Sequence, residues 1–241
     1  MTASFDDVVP VAAPTRVPVL GGGTFPVRRI YCVGRNFADH AREMGAEAPA
    51  SKADRGTPVF FAKPADAIVT TGDVPYPTAT RELHHEVELV VALGRDAPAG
   101  ELSVDEASAL VYGYAVGLDL TRRDLQAAAK AKGLPWDIAK GFDASAPTGE
   151  LVPADAIGEL APRRLSLRVN GELRQSATLD QLIWDVPEIL HELSKLFALR
   201  AGDLVFMGTP AGVAALQPGD TCEARLDDVL ALHCKITSPS L

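Results

Sequence analysis

Residues 83–94 read LHHEVELVVALG, a near-continuous apolar run that opens on two histidines and two glutamates and closes on a glycine. A short apolar run ending at a turn residue is the pattern of a strand covered on both faces. Residues 111–121, VYGYAVGLDLT, repeat it, with glycines where another backbone can approach closely. Outward from this pair, RRIYCVGRN (28–36) is a β-branched and aromatic run that delivers Gly34, Arg35 and Asn36 to a turn. FADHAREMG (37–45) reads as a short helix stopped by Gly45, AEAPASKADRGT (46–57) as a mobile polar loop, and PVFFAKP (58–64) as a strand blocked by Pro64. RRDLQAAAKAK (122–132) is helical up to Gly133-Leu134-Pro135. LSLRVNGELRQSA (165–177) alternates on both sides of Asn170-Gly171, the strongest short hairpin signal. VPEILHELSKLF (186–197) is an amphipathic helix with proline in its first turn, and from Gly202 short strands follow, punctuated by glycine. Strands outnumber helices, so the reading is a β-rich α+β fold and not a doubly wound sheet. Residues 1–27, rich in proline and glycine, read as an extended lead-in with a strand or two, ahead of a catalytic domain over 28–241.

Composition narrows the function. The 241 residues are 47% hydrophobic and 23% charged, an ordinary globular balance that excludes wholesale disorder. The net charge of −9 argues against a nucleic-acid partner, whose affinity comes mainly from neutralised phosphates. No apolar run reaches the roughly 18 residues of a membrane-spanning helix, and the start shows no basic region followed by an apolar one. Cys32, Cys222 and Cys234 lack CxxC spacing and read as reduced, buried side chains. A cytoplasmic location without membrane attachment is expected.

Glu86 and Glu88 are spaced i, i+2, so on a strand they project from one face. Two carboxylates in an apolar run repel and resist desolvation unless a cation lies between them, and oxygen ligands suit Mg²⁺, Mn²⁺ or Ca²⁺. A bare ExE also describes the solvated face of an edge strand. The apolar run that follows and a third carboxylate, Asp119 in YAVGLDLT, favour the metal reading. His40 and Glu43, three apart on a helix, can touch, the pattern of an oriented general base; an incidental surface pair has the same spacing. His84 shares the glutamates' strand face in this reading and is assigned to packing or support of the ligands. Arg35, Arg122, Arg123, Gln126 and Lys140 could serve a small anion or be solvated charges. Thr209, in MGTPAGV (207–213), offers a hydroxyl and nearby N–H groups to a carboxylate, or a plain tight turn. No GxSxG is present, and GGGTFP (21–26) does not join a strand to a helix.

With IYCVGRNFADHAREMG, FFAKPADAIV, LHHEVELVVALG, YGYAVGLDLTRRDLQ, GLPWDIAKGFDASAP and GDLVFMGTPAGV in this order, the chain resembles the fumarylacetoacetate hydrolase family from about Arg28 onward, within it the short acylpyruvases. The resemblance implies a mixed β-roll domain, a homodimer and a bound Mg²⁺ or Mn²⁺. It implies Glu86, Glu88 and Asp119 as metal ligands, His40 and Glu43 as a catalytic dyad on a lid helix, and Lys140 as the catalytic lysine. It places Arg123, Gln126 and Thr209 on the substrate carboxylate; a distal carboxylate would need a further cation, for which Arg35 or Arg123 is the candidate. The implied reaction is hydrolytic C–C cleavage of a small anionic 2,4-dioxo acid, foremost fumarylpyruvate to fumarate and pyruvate in gentisate breakdown. Oxaloacetate decarboxylation and isomerisation or decarboxylation of a hydroxy-dienedioate are the alternatives, and a non-catalytic metal-binding protein is a third.

Overall fold

Val87–Leu93 is a strand in which every residue is buried, and its alternating side chains feed two cores. The structure, a computed structural model, describes residues 8–10, 12–43, 45 and 49–239. A six-stranded mixed sheet runs in the order Val152–Pro153, Val111–Leu118, Val87–Leu93, Asp203–Phe206, Arg29–Gly34, Val59–Lys63. Val87, Leu89, Val91 and Leu93 face a second sheet, packing in one cluster with Leu165, Leu167, Ala224 and Leu226. That sheet has five strands, ordered Glu172–Thr178, Arg164–Val169, Thr221–Leu226, Leu230–Thr237, Asp73–Pro75. Val90 and Ala92 point the other way, into a cluster with Ile30, Cys32, Leu204 and Phe206 that is covered by Val17, Val19, Phe25 and Val27. Val17 and Phe25 come from the two-stranded ladder Arg16–Pro18 with Thr24–Pro26, and Val19 and Val27 lie one residue past its strands. The β-rich α+β architecture is the one expected, and Cys32, Cys222 and Cys234 are buried and free.

The hairpin forms where Asn170-Gly171 places it, with both residues at positive φ (52° and 83°), as a type I′ turn requires. The helices form as Ala38–Glu43, Arg123–Lys132 and Val186–Ser194. Gly133 closes the second in the left-handed conformation. Pro187 lies in the first turn of the third, and Asp185 and Glu188 form a capping box there. The loop expected over 46–57 lies partly outside the described residues; its described part is held by Arg55, whose guanidinium stacks 3.9 Å over Trp184 and pairs with Glu188.

The continuous strand expected over 83–94 is corrected. Leu83–His84 belongs to a separate three-stranded sheet with Thr121–Arg122 and Ala215–Leu216, and the chain changes sheets at His85 and Glu86. There the Val87 N–H has a side-chain acceptor, Gln175 Oε1 at 3.1 Å, in place of a ladder partner.

Candidate active site

The sheet change positions the acidic cluster. Glu88 lies on the strand opposite Gly117, Glu86 lies in the break, and Asp119 is the first residue past Val111–Leu118. The Asp119 N–H donates to the Glu86 carbonyl at 2.8 Å, clamping the two strand ends together. Glu86 and Glu88, two residues apart, converge across the start of Val87–Leu93, and Asp119 follows a strand instead of lying within it. One carboxylate oxygen from each of Glu86, Glu88 and Asp119 lies within 4.8 Å of the other two, and all three residues are buried.

Cations and donors surround this cluster unevenly. Lys140 Nζ stands 2.8 Å from Glu86 Oε2 and 2.6 Å from Asp119 Oδ2. Arg123 pairs with Glu86 from the other side. Burial would push the Glu86 carboxyl up, yet Lys140 and Arg123 hold it well below the usual carboxylate range. The Lys140 ammonium is raised: burial opposes its charge, and Asp119 and Glu86 more than compensate. Glu88 goes the opposite way, pushed well up by burial and by the Asp119 and Glu86 charges, with the Gly208 N–H at 2.7 Å as a single donor. Lys63 Nζ comes within 2.8 Å of Asp119 Oδ1 but directs its hydrogen bonds to the carbonyls of Leu120 and Lys140, so this buried oxygen accepts none.

A divalent cation fits these residues. Glu88 is a buried carboxylate without a cation of its own, and Asp119 Oδ1, beside Lys63, accepts no hydrogen bond. The donor set is all oxygen, which suits Mg²⁺ or Mn²⁺.

His40 is buried beside the cleft, its Nδ1 3.1 Å from Glu43 Oε2, which leaves Nε2 as the ring nitrogen available to a reactant. Gly212 donates its N–H to the Glu43 carboxylate. Gly208 (φ +92°) and Gly212 (φ +98°) both hold the left-handed backbone, and a Cβ at either would meet a backbone carbonyl, that of Val33 or of Arg174. Arg35, His40, Arg123, Gln126, Lys140 and Thr209 line one cleft with the three carboxylates, with Glu43 behind His40, whereas Arg122 lies outside it, over the Phe142 ring and donating to the Ile138 carbonyl. Each guanidinium nitrogen of Arg123 has a partner: Glu86, Gln126 Oε1 at 2.5 Å and His84 Nδ1 at 3.4 Å. His84 therefore supports Arg123; burial, Arg123 and His85 lower its pKa to about 4, and it is neutral near pH 7.

Four contributors escape sequence reasoning. Lys63, at the end of its strand, approaches Asp119. Asn36 is fully buried and holds Met207 and Trp184 through its amide, fixing the turn before Gly208. Gln175 bonds His85 Nδ1, Thr209 Oγ1 and the Pro210 carbonyl at 2.8–2.9 Å. Lys130 lines the cleft beside Trp136. Only Lys130 carried a legible signal, lying one helical turn beyond Gln126.

Comparison with known proteins agrees with this geometry. Residues 29–237 match the family model described as fumarylacetoacetate hydrolase C-terminal. The chain is 42% identical to the mitochondrial oxaloacetate tautomerase of Bos taurus over 88% of its length and 93% of the relative's. It is 42% identical to the fumarylpyruvate hydrolase of Ralstonia sp over 73% of its length and 91% of the relative's. The crystal structure of Pseudomonas aeruginosa fumarylpyruvate hydrolase with Mn²⁺ and pyruvate superposes with a TM-score of 0.90 at 44% identity, covering 97% of this chain and 100% of that one. With the matched domain spanning nearly every described strand and the buried Glu86, Glu88 and Asp119 group at its centre, this chain belongs to the fumarylacetoacetate hydrolase family.

Proposed function

We propose that this protein is a divalent-metal-dependent hydrolase that cleaves a carbon–carbon bond in 2,4-dioxo acids, with fumarylpyruvate, giving fumarate and pyruvate, as its substrate. The observation that carries the reading is the His40–Glu43 pair, at 3.1 Å, held against a cleft floored by three metal-type carboxylates. Hydrolysis needs an activated water, and an imidazole oriented by a carboxylate supplies the base. Glu86, Glu88 and Asp119 would hold the cation. When bound, it supplies Lewis-acid stabilisation of the negative charge that builds on the departing pyruvate fragment.

The protein groups divide the remaining work. Thr209 and Gln126, with Arg123 behind them, hold the carboxylate next to the 2-oxo group. His40 takes a proton from water as its oxygen bonds to C4. Collapse of the tetrahedral adduct breaks the C3–C4 bond, releasing the acid from C4 and leaving the electron pair on C3 as an enolate. Lys140, charged and buried, faces that developing charge. The proton taken by His40 is returned to C3, so the sum is substrate plus water giving two carboxylic acids.

A second reading, action on oxaloacetate, is favoured by the 42% identity to an oxaloacetate tautomerase across 88% of the chain. It needs the same carboxylate grip but no attacking water. Purified protein assayed with fumarylpyruvate, acetylpyruvate, maleylpyruvate and oxaloacetate, each with Mg²⁺ and with Mn²⁺, separates them. Rapid release of pyruvate from an acylpyruvate is expected. Turnover of oxaloacetate alone would overturn the hydrolase reading in favour of the second.

A further inference from the structure

The cleft carries more positive charge than one α-oxo carboxylate uses. Arg123 directs each of its three guanidinium nitrogens to a protein partner, His84, Gln126 or Glu86. Arg35 and Lys130 line the same cleft, and among the described residues neither forms an ion pair or a side-chain hydrogen bond. Arg35 is a non-glycine residue in the left-handed region (φ 59°), a conformation that persists only where neighbours impose it. The neighbour is Asn36, locked to Met207 and Trp184. Lys130 Nζ lies 5.1 Å over the Trp136 ring, and that ring stands 6.0 Å from Phe61 on the same wall. Half-burial and the Arg123 and Arg35 charges lower the Lys130 pKa, outweighing the opposing charge of Glu86.

We infer that Arg35 and Lys130 form a subsite for a second, distal carboxylate, reached past the aromatic rings of Phe61 and Trp136, which makes the preferred acyl group a chain that ends in a carboxylate. This rests on the hydrolase reading above and deepens it. The assignment also moves the distal contact from Arg123 to Lys130.

The test uses full-length protein with Mn²⁺ and two probes that differ only at the far end, 2-oxoheptanedioate and 2-oxoheptanoate, titrated calorimetrically. In parallel, kcat/KM is measured for fumarylpyruvate and acetylpyruvate. The native protein is expected to bind the dioate at least about tenfold more tightly. Lys130→Met and Arg35→Met should each cut the dioate-to-monoacid and fumarylpyruvate-to-acetylpyruvate ratios by about 10- to 100-fold, chiefly through KM, with Lys130→Arg restoring most of the loss. Equal binding of both probes by the native protein, or parallel losses for both probes in the variants, would overturn the subsite. Failure of the hydrolase reading looks different: no acylpyruvate is cleaved while the dioate preference and its loss in the variants persist.

Discussion

Gly212 donates its backbone N–H to both carboxylate oxygens of Glu43, at 3.1 and 3.3 Å, so the helix that carries His40 is tied to the turn that carries Thr209. Glu43 in turn holds His40 Nδ1. The orientation of the proposed base therefore depends on a glycine 172 positions away (His40 to Gly212). Gly212→Ala forces a Cβ onto the Arg174 carbonyl at a φ of +98°. A loss of about 2 kcal/mol in urea denaturation is expected, along with a lower kcat for acylpyruvate cleavage. Unchanged kcat would show that the tether does not orient His40.

His40→Ala separates the two substrate readings within one protein. Removing a general base costs roughly 10²- to 10⁴-fold, and in the proposed mechanism only the step that activates water needs it. Fumarylpyruvate hydrolysis should fall by that factor, while decarboxylation of oxaloacetate falls by less than about tenfold. Equal losses on both substrates would assign His40 to substrate positioning.

Metal binding can be read without turnover. A cation that binds only the folded protein stabilises it by about 2.7 kcal/mol at a hundredfold excess over Kd. After EDTA treatment and gel filtration, Mn²⁺ should raise the melting temperature of the native protein. Glu88→Gln keeps the acceptor for the Gly208 N–H but removes a ligand charge, so its Mn²⁺-induced shift should be largely lost. An equal shift in both proteins would remove Glu88 from the ligand set.

Much of this was legible in the sequence because it rests on local chemistry. Asn170-Gly171 specifies its turn through φ, Gly133 ends its helix, and the apolar runs around 90 and 115 mark strands covered on both faces. The break at His85–Glu86 was not legible, since a change of sheet is decided by which distant strands offer pairing. Gln175 shows the same limit. Simple alternation puts Leu173, Gln175 and Ala177 on one face, but a register shift between Leu167 and Arg168 leaves the apolar Leu173 54% exposed while the polar Gln175 stays in the core. Lys63 was hidden for a related reason: its partner Asp119 follows a strand, Val111–Leu118, that is not a neighbour of Val59–Lys63 in the sheet.

Gln175 is fully satisfied, accepting from the Val87 N–H, bonding His85, and donating to Thr209 and Pro210. Gln175→Ala strands several buried polar groups, each costing about 1–3 kcal/mol, so destabilisation of at least about 3 kcal/mol is expected. Because Thr209 loses its anchor, KM for the α-oxo acid should rise more than kcat falls. A purely structural role would lower the folded fraction without changing KM.

Glu188 gives the fold a pH dependence that lies away from the cleft. Burial opposes its charge, but hydrogen bonds from Arg55, the Asp185 N–H and Lys52 lower its pKa from 4.5 to about 2. A carboxyl with a depressed folded-state pKa contributes stability that is complete above its unfolded pKa and is lost as pH falls through the folded one. The contribution should therefore be constant above about pH 5 and decline from pH 4.5 toward 2, with a ceiling near 3 kcal/mol. Glu188→Gln isolates this charge, since glutamine can still serve the capping box with Asp185. Urea denaturation of both proteins from pH 6 to pH 3 should show a stability gap that narrows below about pH 4.5. A gap of constant size across that range would mean the ion pair with Arg55 does not carry the linkage.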